Sequence, residues 1–134
     1  MAALSATRDT KKRQGGSVEI GVASGVTIWQ GGMVAINASG DAVPAGSAAA
    51  KGKAVGRAAQ TVTGGATAGA VTVVADKGIF AYQSNSANPV TRASRGATAY
   101  ALDDQTVSSL DTLATIAGTV FDADDTGVWI DMRG

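Results

Sequence analysis

The sequence predicts an all-β protein, a small β-barrel or β-sandwich with short strands and Gly-rich turns, preceded by an extended N-terminal arm. Two observations carry this expectation. The branched residues dominate: fourteen Val, six Ile and fourteen Thr stand against only four Leu. Branching at Cβ stiffens χ1 and suits a pleated surface better than a helix. The eighteen Gly then cut the chain into short pieces, as tight turns between strands require. At 134 residues the chain has length for one compact domain.

Residues 1–16 read as a separate arm, flexible or ordered on a partner. Arg8, Lys11, Lys12 and Arg13 cluster there, Gly15-Gly16 closes the segment, and Leu4 is its only regular apolar residue. A single β-rich domain is expected over 17–134.

Within that domain the strand candidates follow one another between turn residues. Val18-Glu19-Ile20 alternates around one charge, and Val26-Thr27-Ile28-Trp29 ends at Gln30-Gly31-Gly32. Met33 to Ile36 follows, with Asn37 to Asp41 as its turn. Ala45 to Gly52 reads as a loop. Lys53 to Arg57 keeps its charges on one parity, which predicts an exposed strand. Val71, Val73 and Val74 lead into Asp76-Lys77-Gly78, and Ile79-Phe80-Ala81-Tyr82 returns, a hairpin pattern. Ser84 to Arg95 is polar, contains Pro89 and reads as a surface loop. Thr98 to Leu102 alternates large and small, predicting that Tyr100 and Leu102 are buried. Ser109 to Ala117 is expected to be a turn followed by a strand. The chain closes on a second hairpin, with Asp122 to Gly127 as its turn and Val128, Ile130 and Met132 sharing one face.

Composition excludes much chemistry. Cys and His are absent, so disulfides, a thiolate nucleophile, an imidazole base and the common zinc ligand sets are unavailable to these residues. Glu19 is the only Glu, and every Asp of the predicted domain except Asp131 lies in or beside an expected turn, a poor basis for a paired-carboxylate hydrolase. The glycine pairs lack the spacing of a phosphate loop. Eleven basic residues balance eleven acidic ones, which argues against a general nucleic-acid binder. No apolar run approaches the length needed to cross a bilayer, and the first residues turn polar too soon for a secretory signal. The expectation is a protein that is not an enzyme and carries no cofactor.

Three features offer binding chemistry. Asp122, Asp124, Thr126 and Gly127 match the first half of a calcium loop, but its last position is Arg133 where a bidentate Glu is needed. A solvated hairpin turn explains the same residues. The arm is basic while residues 103–134 carry seven Asp against one Arg, so an arm could lie on an acidic neighbour in a repeating assembly. Trp29 and Trp129 are the bulkiest residues and suit either a core or an interface.

The order and spacing of several short motifs resemble phage capsid cement, or head decoration, proteins. They are Ala6-Thr7-Arg8-Asp9, Gly25-x-x-x-Trp29-x-Gly-x-Met33-Val34-Ala35, Ala54-x-Gly56-x-Ala58 and Val71-x-Val73-x-x-x-x-Gly78-Ile79-Phe80. Gly96-x-x-x-Tyr100, Ala117-Gly118-x-Val120 and Gly127-Val128-Trp129-Ile130 continue the series. The stretch from Ala45 to Gly69 departs from it, being too rich in Ala and Gly to align. The resemblance implies a β-barrel or β-sandwich on the outer surface of an expanded virion capsid, made in the host cytoplasm. Its partners would be the major capsid protein and copies of itself, with a trimer favoured over a dimer, and no specific nucleic acid or membrane. The contact residues expected are Arg8, Lys11, Lys12, Arg13, Trp29 and Trp129. A head–tail connector or tail component is the closest alternative, and a cell-surface or carbohydrate-binding β module is a second.

Overall fold

The computed structural model describes Ala6 and residues 16–134. The expected arm, with Arg8, Lys11, Lys12 and Arg13, lies outside the described residues apart from Ala6 and Gly16.

The described chain is nearly all β, and its centre is a closed five-strand barrel. The barrel strands are β8 (Ile79–Ser84), β9 (Thr98–Ala101), β10 (Thr106–Ser108), β11 (Ile116–Asp124) and β12 (Gly127–Asp131). β11 pairs with β12, β12 with β8, β8 with β10, β10 with β9, and β9 returns to β11. Closure leaves these strands no unpaired edge. All pairings in the ring are antiparallel except β8 with β10.

The first half of the chain builds a second sheet against the barrel. It contains β1 (Ser17–Gly21), β3 (Met33–Ile36), β4 (Ala42–Pro44), β5 (Lys51–Ala58) and β7 (Thr72–Asp76), in the order β1-β7-β5-β3-β4. β5 also meets β11 in parallel at Lys53 and Ile116, which joins the sheet to the barrel. A two-strand ribbon, β2 (Thr27–Ile28) with β6 (Val62–Thr63), completes the fold. The edge strand β4 is short and ends at Pro44, which cannot donate a further ladder bond.

Two cores follow from strand alternation. The barrel core includes Val107, Val120, Val128, Ile130 and Met132, with Met33 and Ala35 of β3 packed into it. The second core holds Val22, Ile28, Val34, Ala58, Val73 and Ala75. Because alternate side chains of a strand point to opposite faces, β3 sends Met33 and Val34 into different cores and is buried on both sides. Ile130 and Met132 are each fully buried and contribute roughly 1.5–3 kcal/mol apiece by removal from water.

The last hairpin forms, with a tighter turn than the expected Asp122 to Gly127: Asp124 pairs with Gly127, leaving Asp125 and Thr126 as the two-residue turn. Ser109 to Ala117 is a turn followed by a strand beginning at Ile116.

Three expectations are corrected. The strands on either side of Asp76-Lys77-Gly78 exist but do not form a hairpin. β7 pairs with β1 and β5, whereas β8 pairs with β12 and β10, so the turn carries the chain from sheet to barrel. The strand from Thr98 buries Ala99 and Ala101, not Tyr100 and Leu102; Leu102 is 41% exposed. A five-strand barrel has a narrow interior, and the small side chains are those that fit beside Val107, Val120 and Val128. Finally, Lys53 to Arg57 is not an exposed strand. Its charges do share one parity, but β5 is central, pairing with β3, β7 and β11, and it buries Ala54, Gly56 and Ala58. Arg57 lies over the Phe80 ring, 4.7 Å from its centroid, and within 3.4 Å of the Asp76 carboxylate.

Candidate functional site

The two tryptophans stay out of both cores. Trp129 is on β12, where Val128 and Ile130 point inward, so strict alternation turns the indole to the outer barrel wall. It is half-buried there, in an apolar groove with Ile79 and Phe121 that is edged by Asp122 and Asp124. Phe121 is 56% exposed. The pairing of β11 with β12 skips Phe121: Val120 opposes Ile130 and Asp122 opposes Trp129. Phe121 is therefore the extra residue of a β-bulge, with no partner of its own on β12.

The acidic turn beside this groove is held by its own contacts. Asp122 Oδ1 accepts from Arg95 Nη2 at 2.8 Å and from Nε at 3.0 Å, and also from the Ala123 N–H at 2.8 Å. The Arg95 bond first, and then the Ala123 N–H, hold the Asp122 carboxyl below its ordinary pKa. Asp124 accepts from the Thr126 N–H at 2.8 Å and from the Trp129 indole Nε1 at 3.0 Å. The residues of the half calcium loop thus lie at the strand ends and turn of the hairpin, and Asp124 orients Trp129. Among the described residues, no group of three or more acidic side chains is placed to hold a metal ion.

Trp29 occupies a different place. It begins a turn closed by the Gly32 N–H donating to the Trp29 carbonyl at 3.0 Å, with Gly31 at φ +90°, a backbone conformation that glycine adopts without strain. Three further bonds fix that turn. The Gly31 N–H donates to the Ala58 carbonyl, the Ala58 N–H donates to the Gly32 carbonyl, and the Tyr82 hydroxyl donates to the Gly31 carbonyl at 3.1 Å. The indole itself is 62% exposed and walls an open cleft of about 490 Å³. Asp104, Gln83, Gln105 and Thr126 are among its other walls. Burial, and next the neighbouring Asp103, push the Asp104 carboxyl above its ordinary pKa.

The tryptophans are thus not in one cleft, but their sites adjoin. Ala81 lines the Trp29 cleft and is the ladder partner of Trp129. The four basic arm residues lie outside the described residues. Sequence reasoning passed over Phe121, Gln83, Asp104 and Gln105. Phe121 could have been found by alternation, since Val120 and Ile130 fix which face of the hairpin is inside; the polar three come together only through the β8–β10 pairing.

Comparison with protein-family models, with curated proteins and with solved structures returned no match to this chain.

Proposed function

We propose that this chain is a capsid decoration (cement) protein, which binds the outer surface of an expanded phage head and stabilises it against internal pressure. The observation that carries the proposal is the outer wall of the barrel, where Phe121, Trp129 and Ile79 form an apolar groove with an acidic rim. In a chain with only six aromatic residues, placing Phe121 and Trp129 outside the core forgoes burial energy unless a partner covers them. The motif order resembling cement proteins supports the same reading, as does the balanced formal charge.

The partners proposed are the major capsid protein and further copies of this chain, as a trimer ahead of a dimer. The work is contact area without turnover. Many modest contacts on one lattice sum to a large stabilisation of the shell. The basic residues Arg8, Lys11, Lys12 and Arg13 are proposed to add electrostatic contact with an acidic neighbour.

Co-sedimentation with expanded heads of the cognate phage tests the proposal. Phe121→Ala and Trp129→Ala should each weaken attachment by on the order of 2 kcal/mol, about thirtyfold, while the circular dichroism of the free domain is kept. Deletion of residues 1–14 should also lower occupancy without unfolding the domain. Occupancy unchanged in the Phe121 and Trp129 variants would remove the groove from the interface, and unchanged occupancy after the deletion would remove the arm.

A further inference from the structure

The Trp29 cleft differs in chemistry from the Phe121–Trp129 groove, and we infer that it is a saccharide-binding site for a neutral pyranoside. The inference does not rest on the capsid reading.

A pyranose ring has an apolar C–H face and a rim of vicinal hydroxyls. A receptor for it combines a flat aromatic surface with planar groups that accept from and donate to adjacent hydroxyls. The cleft carries both. The Trp29 indole is 62% exposed, and its backbone is held by the turn closure and the bonds from Ala58 and Tyr82. The backbone that presents the indole is therefore ordered before a ligand arrives, which lowers the cost of binding. Gln30, Gln83, Gln105 and Asp104 line the same cleft. Among the described residues, none of these four side chains hydrogen-bonds to another residue of the chain, and the Asp104 carboxylate accepts from its own backbone N–H. The Asp104 carboxylate sits against the turn that presents Trp29, 3.2 Å from the position a Cβ would take on Gly32.

The charge of the cleft narrows the ligand. None of its described lining residues is cationic, Asp104 lines it and Asp103 adjoins it, and Arg57, which acts on the lining residue Tyr82, is itself paired with Asp76. Phosphates and uronates would be repelled, which sets aside stacked nucleotides and acidic sugars. The apolar groove next door has no such set of amides and suits a protein surface instead.

The two indoles give an internal control. In 1H–15N spectra of the full chain, trisaccharides of glucose, mannose and N-acetylglucosamine would be titrated separately, with adenosine monophosphate and a glucuronate-containing oligosaccharide as counter-probes. The Trp29 indole resonance, assigned by its loss in Trp29→Ala, should move saturably with at least one neutral trisaccharide, with Kd on the order of 1 mM. The Trp129 resonance, tied to Asp124, should stay and report that variants remain folded. Read from the Gln83 side-chain amide resonances of the same spectra, which remain when the indole is gone, Trp29→Ala should weaken binding at least ~10-fold, and Gln105→Ala or Asp104→Asn several-fold. No saturable movement with any of the three trisaccharides would overturn the inference. So would binding undiminished in Trp29→Ala, or equal binding of adenosine monophosphate or the glucuronate probe.

Discussion

The Tyr82 hydroxyl donates to the Gly31 carbonyl at 3.1 Å, from a side chain that is itself part of the barrel core. One hydrogen bond thereby ties the inside of β8 to the backbone of the turn that presents Trp29.

Tyr82→Phe should therefore do two things. It should cost about 1 kcal/mol in urea unfolding through the lost bond, and it should loosen Trp29, seen as faster local motion of its indole N–H in NMR relaxation. A variant that loses stability with the Trp29 indole unchanged would uncouple the two. Tyr82 also sets an alkaline limit. Burial pushes its phenol well above the ordinary value of 10.0, so the folded state keeps it neutral while the unfolded chain ionises. Stability should fall as pH rises beyond about 10, and the phenolate absorbance missing from Tyr82→Phe should appear only with unfolding.

Gly127 follows the two-residue turn of the last hairpin at φ +149°, and a Cβ there would come within 2.6 Å of the Tyr82 carbonyl oxygen. Neither partner is a flexible side-chain end, so β12 would have to move away from β8. Gly127→Ala should cost several kcal/mol, on the order of 3, in chemical denaturation. A cost below about 1 kcal/mol would show that the barrel seam between β8 and β12 yields easily.

Two ion pairs set the acid response. Arg133 holds the Asp131 carboxyl down at about 2, from an ordinary 3.8, through its side-chain bonds of 3.0 and 2.9 Å. Arg95 likewise holds Asp122 below its ordinary value. A carboxyl with a depressed folded-state pKa stabilises the fold above its unfolded value and loses that contribution as pH falls through the folded one. The stability difference between the wild type and Arg133→Ala should thus be present at pH 5 to 7 and vanish on approach to about pH 2. Both pairs are solvent-exposed, so the difference is small and shrinks with salt. A difference that persists unchanged to pH 2 would assign it to lost packing instead.

The strands were legible in the sequence wherever apolar residues alternate strictly, as in Val128, Ile130 and Met132. Their partners were less so. Asp76-Lys77-Gly78 has the residues of a hairpin turn, yet local chemistry fixes only that the chain bends, and the choice between sheet and barrel is made by distant pairings such as Val128 with Tyr82. Size misled at Thr98 to Leu102, because bulk predicts burial only where the interior has room, and here Ala99 and Ala101 are the residues that fit. Of the candidate site, both tryptophans were legible as the largest anchors, and their outward orientation was not. The Trp29 cleft was invisible, since Gln83 and Gln105 come from strand-end positions joined only by the parallel pairing of β8 with β10.

The capsid proposal is tested most directly by the copy number of this protein in purified virions, measured against the major capsid protein by quantitative mass spectrometry. Near-stoichiometric copies are the expected result. A handful of copies per particle would contradict a cement role and favour a connector or tail part, and absence from the particle would contradict any structural role in the virion.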